Sequence, residues 1–251
     1  MRLIIRDDAQ AAATYIANYI ANRIKEFNPC AEHPFVLGLP TGSSPVAVYN
    51  LLVQKYRAGE DEYVGIPRDH EQSYHTFMWR HLFSQINIPP ENVHILNGNA
   101  PKLEAECVAY EQAIAAVGGI DLFLAGIGAD GHLAFNEPGS SLASRTRVKT
   151  LAYETVMDNA RFFDNDISKV PRIALTVGVQ TVLDAKEVVT IALGARKAAA
   201  LQKCIEGGVN HMWTLSGLQL HQHSMVVADE DATLELQVKT VKASSSLSLD
   251  S

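Results

Sequence analysis

The run Ile120-Asp121-Leu122-Phe123-Leu124-Ala125-Gly126-Ile127-Gly128-Ala129-Asp130-Gly131-His132-Leu133-Ala134-Phe135-Asn136-Glu137-Pro138 decides how the rest of the chain is read. Its first part is an apolar stretch closed by glycine, the pattern of a buried strand. Glycines at 126, 128 and 131 then let the backbone approach a ligand or turn through positive φ. Asp130, His132 and Glu137 fall in that loop, two carboxylates and an imidazole within eight residues. An imidazole held by carboxylates is what proton transfer near neutral pH requires. A lone Gly-x-Gly beside solvated charges would be an ordinary turn. Three glycines and three titratable groups at a strand end favour a site.

Working outward, Phe35-Val36-Leu37-Gly38-Leu39 reads as a second buried strand, running into Pro40-Thr41-Gly42-Ser43-Ser44-Pro45. Proline suits a first helical turn, so a helix is predicted from about Val46 to Tyr56. The Thr41 and Ser43 hydroxyls and the backbone N–H groups around Gly42 would converge on the positive end of that helix, a phosphate-binding arrangement. On this loop alone, a plain Ser/Thr helix cap accounts for the residues about as well. It is neither a Walker A loop nor a Gly-x-Gly-x-x-Gly dinucleotide loop, which disfavours nucleoside triphosphate and NAD. A third buried strand, Val188 to Leu193, leads to Gly194-Ala195-Arg196-Lys197 and another helix. Lys197 sits where a cation is poorly placed for the helix dipole unless it holds an anion.

The flanks follow the same alternation. Arg2–Arg6 reads as a strand, followed by a helix with Tyr15, Ile16, Tyr19, Ile20 and Ile24 at core spacing and Asp7 or Asp8 as its cap. Helices are also predicted over Ser73 to Ile86, which contains Tyr74, Phe77, Met78, Leu82 and Phe83, and over Leu103 to Val117. Short strands are expected at Val93–Leu96 and Pro171–Gly178, and the strand at Ser224–Asp229 closes the sheet. Arg145 to Thr150 alternates like a half-exposed strand, with Arg145, Arg147 and Lys149 on one face, either an anion site or a solvated edge. Arg161 lies in a loop, and Asn210–Thr214 reads as a packed apolar segment. Between Gly59 and Ser73 the alternation fails: where a strand is due there is the short acidic segment Glu60-Asp61-Glu62-Tyr63. Together these elements predict an α/β fold, a doubly wound, mostly parallel Rossmann-like sheet with helices on both faces and ligands at the strand C-terminal ends. Residues 1–242 read as a single domain, and 243–251 as a loose Ser/Leu-rich tail.

With 251 residues, 47% of them hydrophobic, the chain can bury a large core. No apolar span is long enough for a bilayer, and the N-terminus lacks a signal-peptide layout, so no membrane partner is expected. A net charge of −7 gives no support to nucleic-acid binding, though local donors can still hold an anionic metabolite. Cys30, Cys107 and Cys204 lack metal-ligand spacing and read as reduced thiols of a cytoplasmic protein. The chemistry read this far is proton shuttling on a phosphorylated metabolite.

The runs Gly38–Ser43, Asp61–Gly65, Gly128–Pro138, Ser144–Thr150 and Val209–Thr214 closely resemble the glucosamine-6-phosphate deaminase family, a likeness that extends from Met1 to about Lys242. The resemblance implies conversion of D-glucosamine 6-phosphate and water to D-fructose 6-phosphate and ammonia, with no metal and no organic cofactor. It assigns ring opening to His132, oriented by Asp130 and Glu137, and proton transfer between C2 and C1 to Asp61. Thr41, Gly42, Ser43, Arg161 and Lys197 match phosphate-binding positions. The resemblance further implies a homohexamer. In regulated members N-acetylglucosamine 6-phosphate binds between subunits, and Met1 (through its amine), Ser140, Ser141, Arg147 and Lys149 match that effector site. Two departures stand out. About ten residues, a strand with its turn, are missing before Asp61, and Ala243 replaces the tyrosine that covers the effector in regulated relatives. The first departure motivates a competing reading, a catalytically impaired variant serving as a binding or assembly subunit. A lactonase of the related 6-phosphogluconolactonase type is the other alternative, and Asp61-Glu62 and Asn136-Glu137-Pro138 argue against it.

Overall fold

The computed structural model describes residues 1–30, 32–53, 62–63 and 70–247. Its strands are β1 (Arg2–Arg6), β2 (Leu37–Gly38), β3 (Glu62–Tyr63), β4 (Leu122–Gly126), β5 (Arg147–Thr150), β6 (Ile173–Thr176), β7 (Glu187–Ala192) and β8 (Ser224–Asp229). The helices are α1 (Ala9–Phe27), α2 (Val46–Val53), α3 (Tyr74–His81), α4 (Leu103–Ala116), α5 (Tyr153–Asn159), α6 (Val179–Leu183), α7 (Ala198–Glu206) and α8 (Val238–Leu247).

Five strands form a parallel sheet in the order β1-β8-β7-β4-β2. Apolar residues fill the central strands without alternation because both faces are covered, and successive side chains point to opposite cores. Leu122, Leu124, Val189, Ile191, Met225 and Val227 face one cluster, built with α1, α2 and α3. Phe123, Ala125, Val188, Ala192, Val226 and Ala228 face the other, built with α6 and α7. Each such Leu, Ile or Val removed from water contributes about 1.5–3 kcal/mol, so these two layers supply most of the drive to fold. Helix α1 shows how the sequence reaches this state. Asp8 caps it by accepting from the Ala11 N–H, and Ala12, Ala13, Ile16, Ala17, Ile20 and Ala21 form its buried face. At its far end Asn28 adopts the left-handed conformation.

β2 is shorter than the predicted 35–39 run. Its ladder covers only Leu37 and Gly38; just before it, the Asp121 carboxylate accepts from the Val36 N–H and so takes the place of a strand partner. Val93–Leu96 is not a strand either. Ile95 and Leu96 are buried, but the segment has no ladder partner among the described residues. The helix predicted to reach Ile86 ends at His81, and a 3-10 turn carries Phe83–Gln85. That break lets Leu82 and Phe83, adjacent in sequence, both be buried; a continuing helix would splay them by about 100°.

A second, antiparallel sheet in the order β3-β6-β5 departs from the single-sheet expectation. The described strand residues between α2 and α3, Glu62 and Tyr63, pair with Leu175 and Ala174 of β6, not with the parallel sheet. Ala243–Leu247, expected to be part of a loose tail, is helical: α8 runs to Leu247. Glu206 of α7 holds it, accepting from the Gln237 N–H and the Thr240 hydroxyl. Among the described residues no helix is long and apolar enough to cross a membrane.

All three cysteines are free, with Cys30 exposed and Cys107 and Cys204 buried. Burial raises the Cys107 thiol to about 11 and the Cys204 thiol to about 12, so both stay protonated and inert near neutral pH. A thiol-reactive chromophore should therefore label one cysteine of the native protein rapidly and all three after unfolding in guanidinium. Rapid native labelling of two or three would contradict this packing.

Candidate active site

A cleft of about 740 Å³ opens at the C-terminal ends of β2 and β4. Three loops that the sequence singled out meet there. Thr41, Gly42 and Ser43 come from the turn into α2, Asp130 and His132 from the loop after β4, and Lys197 from the turn after β7. Arg161 joins them, from a 3-10 turn at the end of α5 and not from the expected loop.

Gly42 has φ of 114°, a conformation that L side chains rarely adopt, so glycine suits the sharp turn out of β2. Tyr49 of α2 donates its hydroxyl hydrogen bond to the Pro40 carbonyl and fixes the turn from behind. The loop after β4 is held more closely. Gly128 N–H donates to the His132 carbonyl (2.9 Å) and Gly131 N–H to the Gly128 carbonyl (3.0 Å), closing a tight hairpin that presents the imidazole. Gly131 adopts φ of 77° with the Trp213 ring against it, and a Cβ there would lie 2.6 Å from that ring. Beyond His132, the Leu133 N–H donates to the Thr214 hydroxyl, which donates in turn to the Asn136 carbonyl. The Phe135 N–H donates to Thr176, and the fully buried Asn136 amide bridges the Leu133 and Val177 carbonyls.

His132 Nδ1 lies 2.7 Å from Asp130 Oδ1, close but poorly aligned for a hydrogen bond. The Asp130 oxygen also accepts weakly from the His132 N–H at 3.3 Å. Burial alone would raise the Asp130 carboxyl. The close approach and charge of the His132 ring, aided by backbone N–H groups, outweigh it and hold the group below the ordinary carboxylate range. An anion thus stands beside the imidazole throughout the neutral range. Gly128 makes that contact possible: a Cβ at this position would sit 2.5 Å from Nδ1 and 2.6 Å from the Asp130 oxygen.

Glu137 does not join this pair. Buried at 3% exposure, it accepts from the Ala152 N–H and the Thr155 hydroxyl through Oε1, and its Oε2 lies 3.1 Å from Lys149 Nζ. A buried carboxylate needs such partners, and here β5 and the start of α5 supply them before the imidazole can. Asp61 lies outside the described residues. The expected basic face of Arg145, Arg147 and Lys149 is not assembled. Arg145 precedes β5 and pairs with Asp184 at 2.6 Å, while Lys149 is taken by Glu137. Arg147, whose guanidinium is lowered by burial, donates to the Arg145 carbonyl. Ser140 is buried, Ser141 is exposed, and Met1 packs against the second core. The 210–214 segment is less packed than expected: Met212 is 47% exposed, and Trp213 and Thr214 make its inward contacts.

Sequence reading missed one wall of the cleft. Tyr74, Phe77 and Arg80 of α3 line it, and Tyr74 stacks on Phe135 with centroids 6.1 Å apart. Their spacing of three residues, one helical face, was the available signal. Thr155 also lines the cleft while holding Glu137.

Comparison with known proteins places this geometry. The chain is 58% identical to a glucosamine-6-phosphate deaminase of Phocaeicola vulgatus, covering 96% of each sequence. It is equally identical to glucosamine-6-phosphate deaminase 1 of Homo sapiens, covering 96% of this chain and 88% of the relative. A monomeric glucosamine-6-phosphate deaminase of known structure superposes with a TM-score of 0.88 at 36% identity, over 94% of this chain and all of that one. A 6-phosphogluconolactonase from Trypanosoma brucei, at 18% identity and a TM-score of 0.74 over 94% of this chain and 98% of its own, shares the fold. The family model for glucosamine-6-phosphate isomerases/6-phosphogluconolactonase matches residues 7–227, and the chain belongs to that family.

Proposed function

We propose that this protein is a glucosamine-6-phosphate deaminase, releasing ammonia and D-fructose 6-phosphate from D-glucosamine 6-phosphate and water. The observation that carries the reading is the meeting, in one cleft, of the Asp130–His132 pair with the Thr41–Ser43 turn, Arg161 and Lys197. The catalytic unit extends through α8 and, with its thiols free, works in the reducing cytosol.

The sugar phosphate is anchored by the N–H groups and hydroxyls at the start of α2 together with the two cations. Anchoring fixes the reacting carbons beside His132. The imidazole takes the proton of the C1 hydroxyl and returns it to the ring oxygen, opening the pyranose, while Asp130 stabilises the imidazolium. Asp61 is assigned the transfer of a proton from C2 to C1. The enolamine forms as C2 loses its proton and O1 gains one, and becomes the C2 imine when that proton is delivered to C1 and the nitrogen gives one up; water then adds to C2 and ammonia departs, leaving the ketose. The wall formed by Tyr74 and Phe135 excludes water from the reacting carbons.

Met1, Ser140, Ser141, Arg147 and Lys149 are assigned to the effector position of regulated relatives, within a homo-oligomer. Lys149 bound to Glu137 and Ala243 in α8 both weigh against tight effector binding.

Coupled assays for ammonia and fructose 6-phosphate test the central reading. Turnover should be measurable and should fall about 10²–10⁴-fold in His132→Gln. Sugar-phosphate binding without ammonia release would instead identify an assembly subunit, and turnover of 6-phosphogluconolactone a lactonase. Gly128→Ala should retain the fold yet lose about a hundredfold in kcat, because the added methyl displaces the imidazole from Asp130. Wild-type kcat in that variant would show the pair to be unimportant. Saturation by substrate should be hyperbolic, with N-acetylglucosamine 6-phosphate shifting half-saturation by less than about twofold, since a weak site contributes little coupling.

A further inference from the structure

Lys197 reaches the cleft from a turn that the sheet itself does not position. The last ladder pair of β7 joins Ala192 to Ala228, so the N–H of Gly194 lies beyond the strand and has no carbonyl opposite it. Asp229, the final residue of β8, supplies the acceptor. Both of its oxygens receive the Gly194 N–H, at 2.9 and 3.0 Å, and one of them also receives the Ala232 N–H at 2.9 Å. The carboxylate is 6% exposed. It therefore fixes two consecutive features: the 3-10 turn at Asp231–Thr233, and Gly194 with φ of 80°. From Gly194 the geometry is determined. The Lys197 N–H donates back to the Gly194 carbonyl at 2.9 Å, which sets the 195–197 turn and the point where the lysine side chain leaves it.

We propose that Asp229 is a positioning residue for the phosphate end of the cleft, acting through the Gly194 turn to set Lys197. This rests on the reading of Lys197 as a phosphate ligand. The chemistry requires a carboxylate. An asparagine keeps one acceptor oxygen and turns an N–H₂ group toward the backbone donors, so at least one of those hydrogen bonds is lost and the turn is released. Ground-state and transition-state binding of the phosphate should weaken together, because that group does not change during the reaction.

The test compares wild type, Asp229→Asn, Lys197→Ala and the double variant as intact proteins, reading KM and kcat for glucosamine 6-phosphate and Ki for inorganic phosphate. Asp229→Asn should raise KM and Ki about five- to twentyfold with kcat within about threefold. The double variant should be no weaker than Lys197→Ala, since the two residues act as one unit. Additive losses, or a fall in kcat at unchanged KM, would overturn the proposal, because a merely structural carboxylate would behave in one of those ways. If Lys197→Ala changes neither KM nor Ki, the phosphate assignment of that lysine fails and the inference with it. If Lys197→Ala weakens both and Asp229→Asn neither, only the inference fails. Should Asp229→Asn not fold, Gly194→Ala strains the same turn without touching the carboxylate and should raise KM and Ki likewise; unchanged values there would overturn the proposal.

Discussion

The structure depends on how the backbone leaving β4 satisfies its polar groups. A loop that turns inward at a sheet edge exposes N–H and C=O groups to a dry interior, where each one left unmade costs about 1–3 kcal/mol. Between Gly128 and Asn136 these groups are met by side chains from distant parts of the chain: Thr176 at the end of β6 and Thr214 at the start of the 3-10 segment Thr214–Leu220, after α7. The Asn136 amide adds two more bonds. That coverage also sustains the left-handed conformation of Ala134 (φ 50°), a geometry costing about 1–3 kcal/mol for a residue with a Cβ. Rigidity here bears on chemistry, because this tightly hydrogen-bonded stretch is the one that carries the imidazole.

Glu137 shows the opposite use of a charge. Immediately after the constrained loop, its carboxylate crosses to the antiparallel sheet and gathers Lys149, the Ala152 N–H and Thr155. One oxygen takes the ion pair and the other the hydrogen bonds, which is how a carboxylate at 3% exposure is tolerated. The contact joins the two sheets mechanically. Thr155 lines the cleft, so the position of α5 beside the cleft and the position of Glu137 are coupled.

Much of this was legible in the sequence. Apolar runs ending in glycine located β4 and β7, and hydroxyl-rich or charged turns behind β2, β4 and β7 located Thr41–Ser43, Asp130, His132 and Lys197, because local patterns encode strand ends. Glu137 was assigned to the imidazole because it is near in sequence, whereas burial sends it to Lys149; competition among partners is a tertiary property. Val93–Leu96 has the composition of a strand, but a ladder needs a neighbour, and composition does not report one. Ala243–Leu247 lacked aromatics and read as loose. Its helix is anchored by Glu206, a long-range contact. Tyr74 and Phe77 were legible only as members of a helix, because an apolar helical face looks the same against a sheet as against a cleft.

The placement of the two tryptophans gives the molecule an internal optical record of its cleft. Trp213 rests against Gly131 behind the imidazole loop, and Trp79 belongs to α3, the helix forming the opposite wall. A repacking of the imidazole loop or of α3 alters the polarity around the indole behind it, so the protein's own emission registers such a repacking without an attached dye.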